Sequence, residues 1–169
     1  MSIDEMFIRA ILGIEESRVR TIEVLKENLK IECISKDFNL LIDVIFCSQY
    51  GRIENSGLRA SKLFGRTQSI AIKPTYCLFI ANLLPARAVA HFFNLNRFKT
   101  AAYGGQTSIV PVELSVFRAM LLKAKDENLQ DSRYLQEFLE KMVQHGRDAD
   151  DENEWLETIQ RSAKDWCIA

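Results

Sequence analysis

Apolar side chains recur at three- and four-residue spacing through most of the chain, and this pattern predicts a mainly α-helical protein. Residues 2–5 fit a capping box and predict a helix near the N-terminus. A short segment at 58–64 is expected to form one or two helical turns. Longer helices are predicted over about residues 15–31, 36–49, 75–84, from 85 onward, 112–127 and 131–145, and the spacing continues in the tail.

Two short segments have an alternating pattern, which predicts β-strands instead. In residues 67–73, Ile70 and Ile72 alternate with smaller or polar side chains, and Pro74 ends the run. Residues 105–110, which begin at the second glycine of the pair Gly104-Gly105, give the second strand candidate.

The two strand candidates begin similar segments, because each continues into a proline, an apolar helix and a second helix. Ser69 and Ser108 hold equivalent places, 39 residues apart. This order resembles the ribbon-helix-helix family of DNA-binding regulators. The resemblance implies an antiparallel two-stranded ribbon that enters the major groove, with helices forming a dimer core. Either the two copies in one chain pair with each other, or one strand pairs with that of a second chain.

The fold expected from these patterns is mainly α with one short antiparallel β-ribbon. It has a ribbon-helix-helix-like core and extra helices at both ends. Residues 1–54 would form an N-terminal helical part, 55–146 the basic core and 147–169 an acidic C-terminal segment. With 169 residues, the three parts are expected to share one compact domain.

The charge distribution supports a polyanionic partner. No aspartate or glutamate occurs between Glu54 and Glu113, and that stretch carries seven Lys and Arg, a formal charge of +7. Because the whole chain is −1, the rest must sum to −8. A local positive field favours a polyanion, of which nucleic acid is the commonest. The opposing interpretation is that these cations scatter over the surface as ordinary solvated side chains.

The candidate DNA-binding residues are the cations of this stretch and the side chains on the outward faces of the two predicted strands. Cations would contact phosphates and make binding salt-dependent, whereas outward strand residues would face base edges. The predicted set is Arg59, Lys62, Arg66, Thr67, Ser69, Ala71, Lys73, Arg97, Lys99, Gln106 and Ser108.

Motifs of common enzymes and metal sites are missing from the sequence. It has no phosphate-binding loop of the GxxxxGK type, no GxSxG and no HExxH. The four cysteines form no CxxC pair, and Cys47 and Cys77 lie in apolar runs typical of reduced core residues. His91 is expected to be a partly buried, hydrogen-bonded residue. We therefore predict no enzymatic activity, no cofactor and no metal.

These observations predict a DNA-binding transcriptional regulator that forms a homodimer in the cytoplasm, without a membrane span. The acidic segment is a candidate site for a protein partner. The alternative is a helical adaptor or chaperone that binds a partner through apolar helix faces. Trp155 and Trp166 share a helical face and would anchor such a partner if exposed, although burial in the core is the expected outcome.

Overall fold

The computed structural model describes residues 19–25, 28–35, 37–126 and 132–166, with backbone alone for 19–25 and Lys125. In these residues the chain builds a five-stranded mixed sheet in the order β1-β2-β3-β4-β5. The strands β1, β2 and β3 form an antiparallel meander, and β4 and β5 then pair in parallel with β3 and with each other. The strand bounds are Val19–Leu25, Asn28–Ile34, Asn39–Ile45, Thr75–Ala81 and Ile109–Glu113.

Five α-helices accompany the sheet within the described residues. The first two make the crossovers between parallel strands, so they run from the carboxyl end of one strand back to the amino end of the next. A short 3₁₀ turn, Ala101–Tyr103, precedes β5. The helices are α1 (Tyr50–Ile70), α2 (Ala86–Arg97), α3 (Leu114–Asp126), α4 (Arg133–Asp148) and α5 (Glu152–Lys164).

The two faces of the sheet are covered by different helices. Phe79 on β4 packs against Phe92 of α2, with ring centroids 5.0 Å apart, and Cys77 on the same face lines a small cavity with Ala60 of α1. Tyr76 lies on the opposite face, and its hydroxyl donates to Glu140 of α4 at 3.0 Å. The helices α4 and α5 also pack against α2, α3 and the edge strand β5. The sheet is therefore the middle layer of an α/β fold.

The predicted fold class is wrong. Residues 67–70 are the last turn of α1, and residues 71–74 connect α1 to β4. The second strand candidate overlaps β5, but β5 pairs in parallel with β4. No ribbon forms between these two segments, because the alternating pattern of the first one belongs to a helix end and an exposed loop.

The described part of the predicted N-terminal helical region is also extended. Residues 15–31 and 36–49 were expected to be helices, whereas β1, β2 and β3 occupy them from residue 19 onward. The apolar run at 75–84 is β4 and not a helix. Central strands are buried on both faces and read as continuous apolar runs, which periodicity cannot distinguish from a buried helix. The helix predicted near residues 2–12 lies outside the described residues.

The helix predictions for the C-terminal half are confirmed. Helices occur close to the expected bounds at α2, α3, α4 and α5. Both tryptophans are buried as expected: Trp155 Nε1 donates to the Met142 carbonyl at 2.8 Å, and Trp166 Nε1 donates to the Met120 carbonyl at 3.2 Å. Buried indoles with satisfied N–H groups are core residues, so this pair is not an exposed anchor for a partner.

The acidic residues at the start of the tail have a local structural use. Asp151 caps α5, because its Oδ1 accepts from the Glu154 amide at 2.9 Å, and the Glu154 Oε2 accepts from the Asp150 amide at 2.8 Å. Negative charge at a helix N-terminus is stabilising. A partner-binding role for this segment stays a prediction.

Candidate nucleic-acid interface

Three cations of the acid-free stretch lie in a row on the outer side of α1. Arg59, Lys62 and Arg66 are all exposed. At about 100° per residue they fall within about 60° of arc, on one side of the helix. Within the described residues none of the three makes an ion pair or a hydrogen bond through its side chain. We call this set the cationic stripe.

The opposite side of α1 explains why the stripe faces water. Its buried positions are mostly small and recur at helical spacing, so the helix lies close to the neighbouring elements. A Cβ at Gly57 would meet the Phe92 ring at 3.1 Å, and a Cβ at Gly65 would meet the Tyr103 Cα at 2.8 Å. Since this side is fixed against α2 and the 3₁₀ turn, the charged side cannot rotate inward.

Hydrogen bonds fasten the C-terminal end of α1 to the segment before β5. Gln68 Nε2 donates to the carbonyls of Tyr103 at 2.9 Å and Gln106 at 3.1 Å. The Ser69 hydroxyl turns back to the Gly65 carbonyl at 2.6 Å. Helix end and loop therefore form one surface at the amino-terminal edge of the parallel strands.

The structure brings several further members of the predicted set to this edge. Thr67 and Ser69 belong to the last turn of α1, Ala71 is its C-cap, and Lys73 follows in the loop. The Lys73 ammonium is directed inward, because its Nζ donates to the Ser35 carbonyl at 2.6 Å. Lys73 thus joins the loop to the end of β2.

Arg97, at the end of α2, is engaged by the C-terminal helices instead. Its guanidinium donates to the carbonyls of Gly146 at 3.2 Å and Ala149 at 2.6 Å, and lies 4.7 Å from the Phe93 ring centroid. The Arg97 guanidinium is therefore bound by groups of the protein itself. The position suits a structural link between α2, α4 and α5.

The other predicted residues lie in the loop between α2 and β5. Lys99 is exposed, Gln106 Nε2 donates to the Arg97 carbonyl at 2.8 Å, and the Ser108 carbonyl accepts from the Cys77 amide at 2.9 Å. Gly104 and Gly105 have φ values of 74° and 111°, a left-handed conformation that suits glycine and turns the chain here. Lys99 is the exposed cation of this loop, and like the residues of the cationic stripe it is available to a phosphate.

Sequence reasoning missed one residue of the same helix side. Arg52 is exposed two turns before Arg59, near the N-terminal end of α1. It lies outside the acid-free stretch, because Glu54 separates the two. A helix prediction that ran through residues 50–70 would have placed it in line with the stripe.

A second charged group lies under α1, inside the sheet. Lys30 and Asp43 are cross-strand partners on β2 and β3 and are 7% and 3% exposed. Together with Cys77, Ala60 and others they line a cavity of about 10 Å³, too small to admit a ligand. Burial raises the pKa of Cys77 well above its usual value, helped by Asp43 and opposed by Lys30. These groups are closed off from any macromolecule at the surface.

A larger groove of about 520 Å³ lies between α4 and α5. Its walls mix aromatic residues with both charge signs, among them Tyr134, Lys141 and Asp165. None of its lining residues belongs to the predicted set. The described residues also contain no group of three His, Cys, Asp or Glu side chains placed to hold a metal ion. No described helix is long and apolar enough to cross a membrane.

Models of known protein families and the sequences of characterised proteins give no match to this chain. Among solved structures, it is similar to the small subunit of the heterodimeric restriction endonuclease R.BspD6I. The TM-score is 0.64, over 78% of this chain and 67% of that subunit, at 18% sequence identity. At this identity the likeness shows a shared fold, and it agrees with an α/β architecture in place of a helical one.

Proposed function

We propose that the protein binds duplex DNA through the cationic stripe of α1. The observation that carries the proposal is the alignment of Arg59, Lys62 and Arg66, exposed and without described acidic partners, on a helix fixed by its other side. From Arg59 to Arg66 the helix rises about 10 Å, which matches about three phosphates along one strand.

The surroundings of the stripe support the same partner. The segment from 55 to 112 supplies α1 from its second turn, all of β4 and α2, and the loop before β5, without one carboxylate side chain. None of the side chains that this stretch contributes near α1 or Lys99 would therefore repel a phosphate. The structural neighbour is a subunit of a restriction endonuclease, which is consistent with a DNA-binding use of the fold.

The proposed contacts are to the DNA backbone. Long cations on a helix surface position a protein on a duplex without reading its sequence. Base readout was predicted for the outward faces of the β-ribbon. Because the two segments form no ribbon, we do not propose base readout by these residues. Control of transcription, homodimer formation and the lack of enzymatic activity stay predictions.

Charge reversal tests the proposal. The variant R59E/K62E/R66E should bind a generic duplex much more weakly than the wild type at low salt. Its plot of log K against log salt should be shallower by about 2.7, since each lost phosphate contact removes about 0.9 from the slope. Binding is measured by fluorescence anisotropy over a series of salt concentrations.

A matched control separates the stripe from total charge. R118E/K141E/R161E changes the net charge equally, and these three cations are exposed on α3, α4 and α5. The control should keep most of the binding and the slope. Equal loss in both variants, or no binding by the wild type at low salt, would reject the proposal. Incubating the DNA with protein and Mg²⁺ also checks the non-enzyme prediction, which strand breaks would contradict.

A further inference from the structure

The two most exposed large apolar side chains in the described residues lie two positions apart in the chain, at the end of α1 and in the loop that follows it. Ile70 is 86% exposed and Ile72 is 100% exposed. Neither gains anything from the core, and each leaves a branched apolar surface in water at a cost that a polar residue would avoid. Two highly exposed apolar residues so close in the chain are candidates for an interaction site.

The loop that carries them is held firmly. The Ala71 amide donates to the Gln68 carbonyl at 3.3 Å, Lys73 Nζ binds the Ser35 carbonyl, and the Asn39 amide donates to the Pro74 carbonyl at 2.9 Å. The loop is therefore tied to α1, β2 and β3 within four residues. A tied loop presents its side chains at a fixed position and loses little conformational entropy on binding.

Ile70 continues the cationic stripe, and Ile72 follows it in the loop. Ile70 falls within about 80° of arc of Arg59, Lys62 and Arg66 on the helix. The distance along the axis from Arg59 to Ile70 is about 16 Å, the rise of about five base pairs. A duplex lying along the stripe would thus meet the isoleucines at its end.

We propose that Ile70 and Ile72 form an apolar wedge that enters between base pairs of the bound duplex and bends it. Proteins that bend DNA insert apolar side chains in this way and flank them with cations that hold the backbone. The wedge rests on the proposed function, because the cationic stripe must first place the duplex. The wedge predicts that the bound DNA is kinked and that the protein prefers base-pair steps that unstack easily, such as TA.

The bend is measured by energy transfer between dyes at the two ends of a short duplex, and unstacking by a 2-aminopurine base within it. The wild type should bend the duplex by about 20–90° and raise the 2-aminopurine fluorescence. I70S/I72S should bind with an unchanged salt slope but lose both signals, whereas I70L/I72L should retain them. L122S, which removes an exposed apolar side chain on α3, should behave as the wild type.

The outcomes separate the wedge from the binding proposal. A straight duplex bound by the wild type in a stripe-dependent manner would reject the wedge and leave DNA binding standing. No DNA binding by the wild type would reject both. If I70S/I72S instead abolishes self-association in sedimentation, or binding to anionic phospholipid vesicles, while the duplex stays straight, the isoleucines serve that contact and the wedge is wrong.

Discussion

The Nε2 atom of His91 on α2 lies 3.0 Å from the Ser61 Oγ on α1, within hydrogen-bonding distance. The Ser61 hydroxyl donates its one proton to the Gly57 carbonyl at 2.9 Å. This arrangement favours the tautomer in which the imidazole Nε2–H donates to Ser61 and Nδ1 is an acceptor. The pair joins the helix that bears the cationic stripe to its neighbour, and His91 is a hydrogen-bonded, partly buried residue, as the sequence predicts.

Stability should fall at mildly acidic pH because of this histidine. Burial lowers the pKa of His91 from its usual 6.5. Between the lowered value and 6.5 the unfolded chain binds more protons than the folded one, so this contribution is complete above the window and is lost as pH falls through it. The urea unfolding midpoint, followed from about pH 8 to about pH 5, should show the loss. His91→Gln keeps a donor but not the titration, and an identical pH dependence in that variant would contradict the assignment.

Gly65 should be intolerant of a side chain. A methyl group there would lie 2.8 Å from the Tyr103 Cα, an atom of the backbone that cannot move aside. Gly65→Ala should therefore lower the free energy of unfolding by about 1–3 kcal/mol. Gly51→Ala is the matched control, since a Cβ there meets nothing within 4 Å. It should be neutral or stabilise the helix by up to about 1 kcal/mol. Similar losses in both variants would show that α1 does not pack as described.

Asn96 should be essential for the start of β5. Its fully buried amide donates to the Ile109 carbonyl at 2.8 Å and accepts from the Ile109 amide at 3.0 Å and the Thr107 hydroxyl at 2.7 Å. Asn96→Ala leaves these buried groups without partners and should cost at least about 2 kcal/mol of unfolding free energy. Asn94→Ala, two residues earlier and exposed, should stay within about 0.5 kcal/mol of the wild type. Chemical denaturation of both variants compares them directly.

Cys33 and Cys77 should be chemically inert in the folded protein. Burial, with a smaller contribution from Glu32, raises the pKa of Cys33 to about 12, and Cys77 is shifted upward as well. The thiolate is the reactive form, so both should resist an aromatic disulfide reagent near neutral pH. With Cys167→Ser as the background, three thiols should react in denaturant. Cys47 is the one thiol of the three that this argument leaves free to react. Rapid reaction of more than one thiol in the folded protein would therefore contradict the burial of Cys33 and Cys77.

The elements that bury only one side could be predicted from the sequence, and those buried on both sides could not. The helices α4 and α5 each bury one apolar side, and local spacing suffices to find them. The meander had a usable signal, because Leu29, Ile31 and Cys33 alternate with charged residues, but the same stretch also fits a helical stripe. In β3 and β4 burial on both faces removes the alternation altogether.

The residues of the candidate site could be named from the sequence, but their positions in the fold could not. The acid-free stretch contains Arg59, Lys62 and Arg66, which are exposed in the structure. What keeps residues 67–70 helical is contact with the loop before β5, more than thirty residues away, through Gln68. The inward turn of Arg97 likewise depends on carbonyls near residues 146–149. No local pattern contains such partners.

The strand order β1-β2-β3-β4-β5 means that each strand pairs with the one made just before it. As the chain leaves the ribosome, every new strand finds its neighbour already synthesised, so the sheet can grow in the direction of translation. At the β5 edge no further strand follows within the described residues, and α4 and α5, which pack against β5, emerge only later. A chain stalled or truncated before these helices would present an unprotected strand, and aggregation of such products is the expected consequence.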